Sequence, residues 1–245
     1  MSRKKSRWEI VFEDDDLILI NKPAGLLTIP DRYDPLKENL YKSLLSYREK
    51  IYINHRLDRD TSGLILFSKN EETHAAMQKQ FEKGEIHKEY LALVHGTPGT
   101  KQGTIESRLA MNPSKKRMEV NPKGKEAITH FSVISEWNFH SLIRLIIETG
   151  KTHQIRIHMK SIACPLLCDH LYGDGKGFYL SSIKRNFNRS ANVEERPLIS
   201  RTALHAEKIR FNHPATGQEL EFIQSVPKDM KAVIHQLSKW SSPAF

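Results

Sequence analysis

The chain has 245 residues, and 38 Lys+Arg against 29 Asp+Glu leave a formal charge of +9. A hydrophobic content of 38% and only 12 glycines exclude disordered and collagen-like classes. A pI near 9.4 points to a polyanionic partner, most often nucleic acid.

The length suits one large domain or two small ones with a substantial core. Cys164 and Cys168 are too few for a secreted disulfide framework. The N-terminal MSRKKSRWEI runs from basic residues into a charged segment rather than a secretory apolar core. The apolar runs are far shorter than the ~20 residues that span a bilayer. Neither a membrane nor a secreted class fits, and a reducing, cytoplasmic setting is expected.

Residues 1–7 read as a solvated basic arm. Ile10–Phe12 and Leu17–Ile20 read as strands on either side of the acidic turn Asp14–Asp16, and Pro23-Ala24-Gly25 breaks the second strand. Asp34-Pro35 has the chemistry of a helix start, followed by Leu36, Leu40, Leu44 and Tyr47 at helical spacing. Ile51–Ile53 and Leu64–Phe67 read as strands flanking a polar loop. Asn70 is placed to cap a helix over Glu71–Lys83, closed by Gly84. Residues 88–95 read as a strand buried on both faces.

Residues 111–126 hold Lys115, Lys116, Arg117, Lys123 and Lys125 among two Asn-Pro pairs, which predicts an exposed basic loop or hairpin. Ile128–Ile134 and Leu142–Ile147 continue the strand pattern. Thr152 is the expected cap of a helix with Ile155, Met159 and Ile162 on its apolar side and His153, Arg156 and Lys160 on another. Residues 173–202 read as a long polar connection, and Leu204–Phe211 with Glu219–Ile223 as a hairpin. The last helix starts at Pro227, with Met230, Val233, Ile234 and Leu237 facing inward. Strands alternate irregularly with helices, which predicts a mixed α+β domain over residues 8–245 rather than a doubly wound one.

The richest stretch is NHRLDRDTSG, residues 54–63, with two carboxylates, two guanidinia and a histidine. Local chemistry leaves two readings open. Asp58 or Asp60 can bond to backbone amides in an ordinary turn, with the arginines screening their neighbours. Alternatively, the loop presents a carboxylate kept ionised by guanidinium groups, as a nucleophile or base requires.

Arg156, after the segment GKTHQI, is the natural external cation; its alternative is a surface position or the neutralising of a buried acid. His153 and His158 are five apart and do not share a helix face, which argues against a common metal. Cys164, Cys168 and His170 lack an obvious fourth ligand, so the cysteines read as core residues rather than a zinc site. There is no P-loop, dinucleotide-type glycine run or Gly-x-Ser-x-Gly elbow. No cofactor and no metal are expected.

Several motifs together resemble the RluA-type RNA pseudouridine synthases. They are INKPAGLLTIP at 20–30, HRLDRDTSG at 55–63, KEYLALVHG at 88–96, GKTHQIRIH at 150–158, PLLCDHLYG at 165–173 and LHAEKIRFNHPATG at 204–217. The match covers most of the chain, from about Ile10 to Val226. The resemblance implies a mixed, largely antiparallel central sheet flanked by helices and loops. It also implies isomerisation of uridine in ribosomal or transfer RNA, in which the base leaves the ribose, turns and rejoins through carbon 5.

By resemblance Asp58 is the essential aspartate, attacking the anomeric carbon or removing the ribose 2′ proton. Tyr90 is the tyrosine that stacks on the base and helps remove the C5 proton, and Arg156 is the basic partner of the aspartate. Arg56 corresponds to an arginine that fills the space left by the extruded uridine. His55, Arg59, Lys151, His153, Lys115, Lys116 and Arg117 are the further candidate RNA contacts, and Asp60 is a turn or rim residue.

Lys151 stands where arginine is commoner, and Cys168 where glycine usually precedes the aspartate. A separate small N-terminal RNA-binding domain is not expected, so recognition falls on the catalytic domain, and the protein reads as a monomer. Two other classes compete. One is a non-catalytic RNA-binding or ribosome-assembly factor on the same fold, which has no need of the set Asp58, Tyr90 and Arg156. The other is a sugar hydrolase using Asp58 and Asp60, two acids poorly separated for that chemistry.

Overall fold

The computed structural model describes residues 8–187 and 194–241, so the basic arm at 1–7 and part of the 173–202 connection lie outside the described residues. The elements begin with β1 (Glu9–Glu13), β2 (Leu17–Lys22), α1 (Leu40–Tyr47), β3 (Tyr52–Ile53), β4 (Ser62–Ser68) and α2 (Glu71–Glu82). They continue with β5 (His87–His95), β6 (Gln102–Asn112), β7 (Arg117–Val120), β8 (Lys125–Trp137), β9 (His140–Ile147) and α3 (Gln154–Ser161). The chain ends with β10 (Leu204–Asn212), β11 (Glu219–Ile223) and α4 (Lys228–Trp240). The protein is of the α+β class.

Two compact units are formed, Met1–Lys88 with His205–Ser225 and Glu89–Leu204 with Val226–Phe245. In the first unit β2 lies antiparallel between β1 and β4, β3 adds to β4, and β10 pairs with β4 in parallel and with β11 in antiparallel fashion. Every residue of β4 is buried. Its Leu64 and Leu66 pack with Leu17 and Leu19 of β2, Ile209 and Phe211 of β10, and Met77 of α2. Such side chains contribute ~1.5–3 kcal/mol each by leaving water.

Gly63 is obligatory here. Its φ is +111°, and a Cβ would sit 2.2 Å from the Ala206 carbonyl oxygen of β10. Beside it the Ser62 hydroxyl meets His205 Nδ1 at 3.0 Å, and His205 Nε2 lies 2.8 Å from the Gln224 carbonyl. A carbonyl only accepts, so His205 carries its proton on Nε2.

The second unit orders its strands β5-β9-β8-β6-β7, each pair antiparallel. Along α4, Met230, Val233 and Leu237 pack on Leu91, Leu93, Trp137 and Leu142. A smaller cluster joins Ile157 of α3 to Leu109, Ala127 and Tyr172.

Helix α2 follows its expected cap, with Asn70 Oδ1 accepting the Thr73 N–H at 2.8 Å. Helix α1 does not start at Asp34. Asp31 accepts the N–H groups of Tyr33 and Asp34, Asp34 accepts that of Leu36, and these local turns outcompete helix. Leu36 is consequently 94% exposed, and Asn39 caps α1 through the Lys42 N–H.

Thr152 is not the cap of α3 either. The cap position is His153 at φ 56°, and the side chain of Gln154 does the joining. It accepts from the Lys151 N–H and the Thr149 hydroxyl and donates to the Ile128 carbonyl and Thr129. The long strand β6, absent from the expected elements, supplies the first arm of the basic hairpin.

Candidate active site

Asp58 lies in the loop between β3 and β4, and its neighbours are held through main-chain atoms. The Thr28 hydroxyl donates to the Leu57 carbonyl at 2.8 Å and accepts the Leu57 N–H at 3.2 Å. On the other side the Arg59 carbonyl accepts from Lys22 Nζ at 3.1 Å and from the Gly25 N–H at 2.8 Å. Lys22 is fully buried and also donates to the carbonyls of Pro23 and Leu26. The Asp58 carbonyl accepts the Thr61 N–H, closing the turn.

The loop's entrance is fixed by Asn54, which exchanges hydrogen bonds with Ser68, meets His74 Nδ1 and accepts on its carbonyl from Gln78. These contacts explain INKPAGLLTIP and NHRLDRDTSG as two halves of one support.

His55 is part of that support. Its Nε2 accepts the Leu66 N–H at 3.0 Å, and its ring lies 5.2 Å from that of Phe81. Burial, aided by the nearby charge of Lys88, pushes its pKa down to about 3. The ring is therefore neutral at physiological pH and brings no charge to a phosphate. Arg56 and Arg59 are exposed, with the Arg59 guanidinium pairing to Asp60 at 3.1 Å.

In the second unit Tyr90 stands on β5 opposite Leu145 of β9 and is 6% exposed. Arg156 projects from α3 and forms a two-pronged pair with Asp169, Nε to Oδ2 and Nη2 to Oδ1, both at 2.7 Å. Asp169 Oδ1 also accepts the N–H groups of Leu171 and Tyr172. Burial pushes the Asp169 carboxyl up, but Arg156 and these two amides outweigh it and hold the group below its ordinary value.

The Tyr172 ring lies 5.2 Å from the Arg156 guanidinium and 6.0 Å from that of Arg117. Its hydroxyl sits 3.0 Å from His153 Nδ1 and donates to the Met118 carbonyl. Arg117 donates to the Leu171 carbonyl at 3.1 Å, so β7 is clamped to the loop that sets Arg156. Lys115 and Lys116 are exposed at the hairpin tip, and Lys151 is half-buried before α3.

Residues 16–161 match the family model described as RNA pseudouridylate synthase. The chain is 37% identical to ribosomal large subunit pseudouridine synthase D of Vibrio cholerae, covering 92% of this chain and 72% of that protein. Its likeness to the synthase of that name from Escherichia coli is 35%, over 92% of this chain and 69% of the relative. The chain belongs to the RNA pseudouridine synthase family. A solved human protein, RNA Pseudouridylate Synthase Domain Containing 4, shares the fold with a TM-score of 0.70 at 21% identity, covering 94% of this chain and 92% of that one. The synthase is thus an isomerase acting on RNA.

In this synthase Cys168 takes φ 59°, in the left-handed region where a glycine would be at ease. Its thiol is buried among α4 and β5 side chains, and burial pushes its pKa up to about 12. Both cysteines are free and buried. Sequence reasoning missed Thr28, Lys22 and Asp169 as supports. The signal for Asp169 was present, since a buried arginine requires a buried acid.

Proposed function

We propose that the synthase isomerises uridine in large-subunit ribosomal RNA, with Asp58, Tyr90 and Arg156 as its catalytic groups. The likeness over 92% of the chain to relatives named for that subunit carries the substrate reading. All three residues lie within the segment that matches the family.

The target base must leave its stack, at a cost of a few kcal/mol that unpaired sites reduce. Stacking on Tyr90 offsets ~1–3 kcal/mol of this. Asp58 either attacks the anomeric carbon, displacing the base, or removes the 2′ proton; in both routes the same base returns through carbon 5 and the C5 proton is released. Arg156 is the basic group of the set, oriented by its two-pronged pair with Asp169. Arg56 fills the vacated stack, and Lys115 and Lys116 hold phosphates, so affinity falls steeply with salt. Arg59, Lys151 and His153 contact the RNA, while His55 and Arg117 each support their own loops. We also propose that residues 8–245 work as one catalytic domain, in the cytoplasm and as a monomer.

Mapping pseudouridine in ribosomal and transfer RNA from cells with and without the protein tests this. Sites lost from large-subunit RNA alone are expected, and restored by the wild type but not by Asp58→Asn. Sites lost only from transfer RNA would overturn the substrate. Restoration by Asp58→Asn would overturn the catalytic assignment.

A further inference from the structure

We infer that Thr28 is a positioning residue for the catalytic loop, a role that rests on the assignment of Asp58 above. One hydroxyl serves both main-chain polar groups of Leu57, the residue immediately before Asp58. A hydroxyl can do this because it carries one donor and two acceptor lone pairs. Valine has the same shape and can do neither.

Thr28 is 3% exposed, and Leu57 is buried too, so water is a poor substitute at either end. The clasp is rigid because Thr28 is itself fixed. Its carbonyl accepts the Tyr41 N–H at 3.0 Å, and the Leu27 carbonyl accepts that of Leu40 at 2.8 Å. Both amides belong to the first turn of α1, which Asn39 caps.

The segment Leu27–Thr28 therefore transmits the position of α1 to Leu57. Beyond Asp58, the Arg59 carbonyl is held by Lys22 and Gly25. The carboxylate is bracketed by fixed residues on both sides, and on the N-terminal side the bracket depends on the Thr28 hydroxyl.

Without that hydroxyl, Leu57 must turn its N–H and carbonyl toward other partners. The adjoining Asp58 turns with it while the protein surface that meets RNA is unaltered. The defect then appears in the chemical step and not in binding, because a misplacement of ~1 Å costs up to about 100-fold in rate.

The test is tritium release from C5-tritiated total RNA of a strain lacking the protein, measured in single turnover with enzyme in excess at a series of concentrations. Wild type, Asp58→Asn, Thr28→Val and Thr28→Ser are compared. Thr28→Val is expected to lower the saturating rate by about 10-fold or more. The enzyme concentration giving half that rate should stay within about 2-fold, and Thr28→Ser should recover most of the rate.

A lost fold would lower the fraction of active enzyme, which serine could also restore, so active-site concentration and thermal melting are measured alongside. If the valine variant does not fold, Thr28→Ala carries the same comparison. A wild-type saturating rate in the valine or alanine variant, a loss confined to affinity, or no recovery with serine would overturn the inference. Absence of release by the wild type, or release by Asp58→Asn, would overturn the functional assignment and the inference with it.

Discussion

Substitution Asp169→Asn should injure the protein far more than the loss of one surface carboxylate would. The side chains of Arg156 and Asp169 are 5% and 0% exposed, and two contacts of 2.7 Å join them. Asparagine offers one oxygen where the fork meets two, and its amide group would face guanidinium donors. Breaking a buried pair while leaving the cation in place costs ~3–5 kcal/mol, against a typical total of ~5–15 kcal/mol. For a chain of this size that is a fall in melting temperature of about 10 °C.

The Leu171 and Tyr172 amides, which share Oδ1, should loosen with it. Thermal melting and pseudouridine formation are the assays. Because the folded Asp169 has a lowered pKa, its contribution is complete at neutral pH. It fades only as pH falls below the ordinary 3.8 and through the folded value. A variant that melted within ~1 °C of wild type at pH 7 would refute the claim that this pair holds Arg156 against the cost of burial.

His158 is buried between Thr129 and Ser107, and burial pushes its pKa down from 6.5 to about 4. The unfolded chain then binds the proton first, so His158 should lower stability by ~1.4 kcal/mol per pH unit from 6.5 toward 4, and His55 by as much again over that range. Urea midpoints at pH 7 and pH 5 measure this, and equal midpoints would refute it. Cys168→Gly removes a buried thiol but relieves a left-handed backbone, each worth about 1 kcal/mol, whereas Cys168→Ala loses the thiol and keeps the strain. Chemical unfolding should therefore find glycine at least as stable as alanine; the reverse order would refute the strain. Gly63→Ala should cost more than ~3 kcal/mol, because its Cβ meets the Ala206 backbone and no flexible side chain can give way; an unchanged melting temperature would contradict that packing.

Strands and the α2 cap were legible because their signals are local: Leu17–Ile20 is a short apolar run, and Asn70 needs only the amide three residues on. The start of α1 was not, since Asp34-Pro35 carries the same caps that make turns, and only Asp31 decides between them. Strand β6 escaped because its two deeply buried side chains, Ile105 and Leu109, are separated by polar residues. At the site, motif resemblance singled out Asp58, Tyr90 and Arg156 as candidates, but not what holds them. The clasp of Thr28 on Leu57 joins residues 29 apart, and no spacing rule reports that distance. His55 was a candidate RNA contact from its motif, whereas its hold on the Leu66 amide and its buried, neutral ring depend on packing that the motif does not report.

The hold on the loop around Asp58 has a consequence for how this enzyme can diverge. The bonds described at Leu57, Asp58 and Arg59 all end on peptide groups of the loop, which every residue type but proline supplies in full. Arg56 and Arg59 can therefore be exchanged without removing any of those attachments. The carboxylate proposed to react can stay where it is while the side chains around it are rewritten for a different stem, loop or bulge. Libraries seeking new RNA targets should diversify those arginines and leave Lys22, Thr28 and Asn54 alone.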